Sequence, residues 1–244
     1  MSRSSFQQVM LTSCTTDVLA VLIAVALAFP FARRWRIGPA LGLVAYVVAD
    51  DVIGLTPLLA GWNLGQWNWI GQGASIAFAL LVTAIFLHRE EVGVCWPRGP
   101  AALFWSGIGI LVAASISAAD NLLSAAKMPT AETFAFEALV PGPAEELVFR
   151  GVGFALLMRM FRSGEVDRRA VVLAAITTAV WFTAGHVMHL SGSTFVVEPK
   201  RIIDVLPMGL LFAFVRIRSG SLLGGVLAHN VANIIADVIG AMRA

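Results

Sequence analysis

The chain has 244 residues, of which 58% are apolar or aromatic and only 13% are charged, and its formal net charge is +2. Soluble domains typically have about 25% charged and about 45–50% apolar residues. Together with a mean hydropathy of +0.82, this composition excludes an ordinary cytoplasmic globule, a disordered chain and a nucleic-acid-binding protein. It predicts an all-α fold, a polytopic bundle of transmembrane helices whose first partner is the lipid bilayer.

Apolar runs long enough to cross a bilayer recur along the whole chain. A hydrocarbon core of about 30 Å is crossed by about 20 helical residues. The runs predict eight spans, at 11–32, 37–59, 67–87, 101–119, 134–158, 171–190, 202–216 and 221–241. We expect residues 1–99 to form N-terminal transmembrane helices and residues 100–244 to form a second helical unit.

Basic residues are concentrated in alternate loops between these predicted spans. Cytoplasmic loops of membrane proteins are enriched in Lys and Arg. One set of loops holds most of the 17 basic residues, namely Arg33, Arg34, Arg36, Arg89, Arg98, Arg159, Arg162, Arg168, Arg169, Arg216 and Arg218. The segments on the other side hold Arg3, Lys127, Lys200, Arg201 and Arg243. The asymmetry predicts that both termini lie outside the cytoplasm, and we expect an integral protein of a bacterial inner membrane.

The fifth predicted span contains two adjacent carboxylates and an arginine, in the segment Pro-Gly-Pro-Ala-Glu-Glu-Leu-Val-Phe-Arg that ends at Arg150. Ionisable residues inside a span are costly and are functional candidates by default. Arg150 follows Glu146 by four residues, so the two share a helical face and can form an ion pair. Glu145 points about 100° away from Glu146 and has no such partner, which suits a general base. The alternative is a purely structural ion pair that locks two helices together.

Two later spans carry further polar residues. His186 follows Phe182 by four residues in the sixth predicted span, where a histidine can relay protons, bind a metal or simply pack. His189 could share a metal with it. In the last span, His229 and Asn233 lie on one helical face, where they can stabilise an oxyanion. The alternative is a polar seam between helices.

The second predicted span carries Asp50 and Asp51, to which the sequence assigns no role in chemistry. Together with Glu145, His186 and Asp237, they motivate a hypothesis of a proton or ion pathway. Such a pathway needs titratable residues at successive depths, whereas the motif residues are expected to cluster at one level.

The order Glu-Glu-x-x-x-Arg, Phe-x-x-x-His and His-x-x-x-Asn, on three separate spans, resembles the CAAX prenyl protease and bacteriocin-processing family, also called the Abi family. The resemblance covers about residues 100–241, and the loop Val-Gly-Val-Cys-Trp-Pro that ends at Pro97 is also similar to the family's pattern. The matching residues are Glu145, Glu146, Arg150, Phe182, His186, His229 and Asn233.

The resemblance implies an intramembrane endopeptidase whose catalytic core is the second helical unit, 100–244. In the prenyl-protease branch the substrate is a lipidated protein with a C-terminal CAAX box, and bacterial members have more varied peptide substrates. By the same resemblance, Glu145 matches the general base, aided by His186. His229 and Asn233 match the oxyanion-stabilising pair, and Glu146 with Arg150 matches the supporting ion pair.

Peptide hydrolysis by an activated water fits these residues better than covalent catalysis, because neither Cys14 nor Cys95 lies near the motifs. A zinc site needs about three protein ligands, which Glu145, His186 and His229 would supply. The zinc-protease motif His-Glu-x-x-His is missing, so we expect no cofactor, with zinc as the open alternative.

Two questions stay open at the level of sequence. The first is catalysis itself, since a non-catalytic membrane immunity or scaffold protein could keep the family fold. The second is the side of the membrane to which the site opens. The prenyl-protease branch opens toward the cytosol, but the predicted span boundaries do not decide the side for this chain.

Overall fold

The computed structural model describes residues 3–62, 64–123, 128–163, 167–191 and 194–244, and these are almost entirely helical. The α-helices are α1 (Arg3–Ala28), α2 (Ile37–Leu59), α3 (Trp69–Phe86), α4 (Arg89–Val92), α5 (Gly99–Leu123), α6 (Ala131–Leu139), α7 (Pro141–Glu146), α8 (Phe154–Phe161), α9 (Arg168–Val187), α10 (Ile202–Ser219) and α11 (Leu223–Arg243). A π-helix (Leu147–Gly153) joins α7 to α8, and short 3-10 helices occur at Phe29–Phe31 and Pro199–Arg201.

Six segments in the described residues are long and apolar enough to cross a membrane: Thr12–Phe31, Ile37–Leu59, Trp69–Phe86, Gly99–Leu123, Arg168–Val187 and Leu223–Arg243. The predicted helical membrane bundle is therefore confirmed, whereas the predicted count of eight spans is not. The fifth predicted span, 134–158, is divided into α6, α7, the π-helix and α8. The seventh corresponds to α10, which contains Pro207.

The division of the fifth predicted span begins at a proline. Pro141 is the first residue of α7, a position that suits proline because the missing N–H has no partner within the helix there. Its ring also prevents α6 from continuing unbroken into α7. The following π-helix, Leu147–Gly153, widens the backbone directly after the two glutamates. π-Helical turns of this kind are frequent at functional sites.

The sixth predicted span, 171–190, is wrong at its end, because α9 stops at Val187 and the chain enters an antiparallel hairpin. Strand β1 (Met188–Ser191) pairs with β2 (Thr194–Val197), and the amide of Glu198 donates to the carbonyl of Val187 at 2.8 Å. The β-branched residues of β2 favour extended backbone, and β1, at the end of the predicted span, is held extended by pairing with it.

The helices place most of the arginine-containing loops at one end of the bundle, which we call the arginine-rich end. There the amide of Arg36 donates to the carbonyl of Met160 at 3.2 Å. The guanidinium of Arg159 donates to the carbonyl of Phe86 at 3.0 Å. These contacts join the loops that follow α1, α3 and α8 into one surface.

The other end of the bundle, which we call the hairpin end, contains the β-hairpin, the α2–α3 loop and the start of α6. The amide of Gln66 donates to a carboxylate oxygen of Glu132 at 2.9 Å. Arg243, at the end of α11, donates to the carbonyl of Asn121 at 2.7 Å. Lys127, which the sequence places on this side, lies outside the described residues.

The main apolar core lies between α1, α2, α8 and α9, around fully buried residues such as Leu157 and Met160. Helix α11 packs along α5 and also contacts α6 and α7. Helices on both sides of the predicted boundary at residue 100 therefore contact one another, and the division into two units stays a prediction. This packing brings the end of α7 against α11 and places the end of α9 near it.

Candidate active site

The centre of the site is the ion pair between Glu146, the last residue of α7, and Arg150, in the π-helix. The Nη1 of Arg150 donates to Oε1 of Glu146 at 3.0 Å, and both side chains are 0% exposed. The Nη2 of Arg150 donates to the carbonyl of Gly209 on α10, also at 3.0 Å. Its guanidinium carbon lies 4.3 Å from the ring centre of Phe182, a cation–π contact with α9. The pair thus fixes α7 against two other helices.

His229, on α11, is held against the same ion pair. Its Nδ1 lies 3.2 Å from Oε1 of Glu146, and its ring stacks on Phe212 with ring centres 5.0 Å apart. An ionised carboxylate only accepts hydrogen bonds, so the proton of a neutral His229 ring belongs on Nδ1. Its Nε2 is then a free acceptor, which lies 3.8 Å from Oε2 of Glu145.

His186, in the last turn of α9, is oriented in the same way from the other side. Its Nδ1 lies 2.8 Å from the carbonyl of Phe182. Because a carbonyl cannot donate, Nδ1 carries the proton, and Nε2 of the neutral ring is again an acceptor. This Nε2 lies 3.7 Å from Oε2 of Glu145.

Glu145 therefore meets two imidazole nitrogens without a direct hydrogen bond to either. Its side chain is 31% exposed, and its Oε2 atom is buried with no hydrogen-bond partner. Three acceptors, one carboxylate oxygen and two Nε2 atoms, face one another across 3.7 and 3.8 Å. Polar atoms at such separations are commonly bridged by a water molecule, whose two hydrogens would supply donors to two of the three atoms.

Asn233, the last of the residues predicted for the site, lies one turn beyond His229 on α11. Its amide nitrogen donates to Oε2 of Glu137 on α6 at 2.7 Å. Glu137 also interacts electrostatically with Glu145 and His229. The sequence did not single out Glu137, which precedes Glu145 by two helical turns but lies on a different helix. Asn233 is thus near the site but is engaged by this carboxylate.

Asn230 is a second residue that sequence reasoning missed. Its side-chain oxygen accepts from the amide of Gly142 at 2.8 Å, and its nitrogen donates to the carbonyl of Ala138 at 2.8 Å. A Cβ on Gly142 would collide with this side-chain oxygen and with the carbonyl of Val226. Asn230 thus satisfies the backbone on both sides of the α6–α7 break. Its position beside His229 is the only sequence signal that pointed to it.

His189 does not share a site with His186. It lies in β1, is 46% exposed, and its Nδ1 is 3.7 Å from a carboxylate oxygen of Glu198 in the segment after β2. The possibility of a metal held jointly by His186 and His189 therefore finds no geometric basis.

A cavity of about 280 Å³ lies beside Glu145 and His186. Its opposite wall consists of α1, α2 and α3 and carries Asp17, Asp50 and Asp51. Asp50 accepts a hydrogen bond of 2.6 Å from the hydroxyl of Ser75, and Asp17 and Asp51 interact electrostatically with each other. The sequence assigned no role to Asp50 or Asp51, and the structure places both in the cavity that Glu145 faces.

Within the described residues, no group of three His, Cys, Asp or Glu side chains is arranged to hold a metal ion. Zinc binds nitrogen and oxygen ligands at about 2.0–2.2 Å, so tetrahedral ligands lie about 3.3 Å apart. The separations from Glu145 to His186 and His229, 3.7 and 3.8 Å, are wider than this. Glu145 would have to lie closer to both imidazoles for these three residues to bind zinc.

The part of the chain that forms this site matches a known protein-family model. Residues 129–235 match the family model described as Type II CAAX prenyl endopeptidase Rce1-like. Searches of curated proteins and of solved structures found no match. The matched segment runs from before α6 into α11 and contains all three motifs, and the six apolar helices make the chain an integral membrane protein. Through this segment, the chain is similar to the CAAX prenyl endopeptidase family.

Proposed function

We propose that this protein is an intramembrane endopeptidase in which Glu145 activates the water that attacks the scissile peptide bond. The observation that carries the proposal is the buried, unpartnered Oε2 of Glu145, which faces the Nε2 atoms of His186 and His229 at 3.7 and 3.8 Å. A water molecule at this place would donate one hydrogen to Oε2 of Glu145 and the other to Nε2 of His186, and it would keep an oxygen lone pair for the carbonyl carbon.

In the proposed reaction, Glu145 takes one proton from the water as its oxygen bonds to the carbonyl carbon. The carbonyl π electrons move to the oxygen and form a tetrahedral oxyanion. When this intermediate collapses, the C–N bond breaks, and Glu145 returns the proton to the leaving amine. His186, held by the carbonyl of Phe182, orients the water in the first step.

Stabilisation of the oxyanion is assigned to α11. His229 lies 3.2 Å from Glu146 and 3.8 Å from Glu145, and in its protonated form the ring would donate from Nε2 to the oxyanion. The amide nitrogen of Asn233 has two hydrogens, of which one is engaged by Glu137, and the second is available for the oxyanion. Glu146 and Arg150 serve as positioning residues, because they hold His229 and α7 rather than the substrate.

The substrate class follows from the family and from the membrane. We propose a peptide or lipidated protein at the bilayer, of which prenylated CAAX-type peptides are the first to test. Because the sequence lacks the zinc-protease motif His-Glu-x-x-His, we further propose that the water is activated without a metal.

The test is cleavage of a panel of prenylated CAAX peptides and unmodified membrane peptides by purified protein in nanodiscs. Glu145→Gln is expected to lower turnover by about 10²–10⁴-fold, the contribution of a general base. Glu90→Gln, an exposed glutamate at the arginine-rich end, is the matched control and should leave turnover unchanged. Full activity in Glu145→Gln would refute the proposed base.

A zinc chelator distinguishes the metal-free mechanism from a zinc-dependent one. Activity that persists with the chelator and is lost in Glu145→Gln agrees with the metal-free mechanism, whereas loss of activity that added zinc restores contradicts it. A wild-type protein that cleaves no peptide in the panel would instead favour a non-catalytic immunity or scaffold role.

A further inference from the structure

The cavity beside Glu145 lies nearer to one end of the bundle than to the other. Its residues on α2 come from the second half of that helix, and those on α3 come from its beginning. Both halves adjoin the α2–α3 loop at the hairpin end. Residues from five different elements mark the cavity in this region, namely Ser13, Asp17, Asp51, Gln72, Glu145 and His186.

His186, on α9, also lies nearer to the hairpin end than to the arginine-rich end. His186 is one residue before the end of α9, and β1 follows directly. Asp17 lies in the first half of the apolar segment of α1, Thr12–Phe31, whose other end leads to Arg33. Thus α1, α2, α3 and α9 all contribute to the cavity from the portion that is distant from the arginine-rich end.

The arginine-rich end is the end that the distribution of basic residues assigns to the cytoplasm. Its loops are held together as one surface. Besides the Arg36 and Arg159 contacts, Arg216 near the end of α10 donates to the carbonyl of Glu91 at 2.8 Å. Among the described residues of the hairpin end, the basic side chains are fewer, and Arg201 there lies 3.7 Å from a carboxylate oxygen of Glu198.

From this placement we infer that Glu145 and His186 are reached from the non-cytoplasmic side of the membrane. What this orientation means for the substrate rests on the proposed function. A soluble or lipidated protein made in the cytosol approaches the arginine-rich end, and α7, the π-helix and α8 then separate it from the cavity. Of the substrates proposed above, the class that fits is therefore a membrane peptide that has been exported or that protrudes from the outer leaflet, whereas prenylated CAAX proteins of the cytosol do not fit.

This sidedness differs from that of the prenyl-protease branch, which opens toward the cytosol. Here the segment from α6 to α8 begins at the hairpin end, as the contact of Gln66 with Glu132 indicates. It finishes at the arginine-rich end, where Arg159 lies 2.7 Å from Glu91. Along the chain, Glu145 therefore comes before the basic loop at the arginine-rich end. Along the membrane normal, the cavity lies nearer to the hairpin end than this loop does.

The orientation of the chain in the membrane can be measured without an activity assay. In a background in which Cys14 and Cys95 are replaced by serine, Leu64→Cys puts an exposed thiol in the α2–α3 loop, and Glu90→Cys puts one at the arginine-rich end. A membrane-impermeant maleimide should label Leu64→Cys in intact spheroplasts and Glu90→Cys only in inverted vesicles. The reverse pattern would overturn the inference.

Access to the site is tested with the wild-type chain in vesicles of defined orientation. A peptide that the detergent-solubilised protein cleaves is added outside right-side-out and inverted vesicles, and each sample is then permeabilised. We expect at least tenfold faster cleavage by right-side-out vesicles, with the difference abolished by permeabilisation. Faster cleavage by inverted vesicles would overturn the inference. Absence of cleavage after permeabilisation would count against the proposed function alone, while the labelling result still decides the orientation.

Discussion

Arg150 donates to Glu146 at 3.0 Å, and neither side chain has any exposed surface. The neighbouring Glu145 has no hydrogen bond to its Oε2 atom. Two adjacent and chemically identical side chains therefore have different environments, one neutralised by a cation and the other directed at two imidazoles. This division makes Glu146 a structural anchor and leaves Glu145 available for chemistry.

The first prediction concerns the stability of this pair. Removing one partner of a buried ion pair leaves an uncompensated charge and costs about 3–5 kcal/mol. Arg150→Met should therefore lower the free energy of unfolding by that order, and Glu146→Met should do so as well. Thermal unfolding in detergent measures the effect.

The double variant, Glu146→Met with Arg150→Met, is the control for this prediction. Because it removes both charges, its destabilisation should be smaller than the sum of the two single effects. Single variants with an unchanged unfolding midpoint would show that the pair does not hold α7 in place.

The second prediction separates His186 from His189, two histidines three residues apart. His186→Ala should reduce turnover by about 10²-fold or more, since the Nε2 atom facing Glu145 is lost. His189→Ala, on the exposed hairpin, should leave turnover nearly unchanged. Equal losses of turnover in the two variants would contradict the role given to His186.

Local sequence patterns predicted much of this site because its motifs lie within single helices. The spacing of four residues put Glu146 and Arg150 on one face, and this pairing is present although Arg150 lies in a π-helix. The family was likewise predictable from three short motifs in order. The helical bundle followed from composition alone.

The rest depends on packing between helices that are distant in sequence. Asp17 and Asp51 lie on α1 and α2, and only the docking of α1 against α9, and of α2 against α1 and α8, brings them near Glu145. Helical periodicity describes one helix at a time and contains no information on this docking. For the same reason the sequence did not indicate Glu137 as a site residue, since its contact with Asn233 joins α6 to α11.

The third prediction concerns pH and the start of α9. Asp167 caps this helix by accepting from the amide of Ala170 at 3.1 Å. A hydrogen bond from the Ser163 hydroxyl, together with backbone amides, lowers its pKa to about 2. In the unfolded chain an aspartate titrates near pH 3.9, so the stabilisation is complete above that pH and is lost as the pH falls toward 2.

Asp167→Ala is accordingly expected to lower the unfolding midpoint at pH 7 and to approach the wild type as the pH falls below about 4. Differential scanning fluorimetry at several pH values provides the comparison. Asp167→Asn, which can still cap the helix, should retain most of the stability at pH 7. A gap between Asp167→Ala and the wild type that does not narrow in acid would argue against the capping role.

The last prediction concerns the backbone break that presents Glu145. Gly142→Ala should destabilise the protein strongly, because the added methyl group would collide with the side chain of Asn230 and the carbonyl of Val226. Asn230→Ala should cost about 1–3 kcal/mol for each buried group left unsatisfied, and it should lower turnover because α7 is no longer held against α11.

Gly107→Ala is the matched control. Gly107 lies in α5 with no neighbouring atom within 4 Å of an added Cβ, so alanine there should be neutral or stabilising by up to about 1 kcal/mol. Similar unfolding midpoints for Gly142→Ala and Gly107→Ala would mean that Asn230 does not clamp the break between α6 and α7.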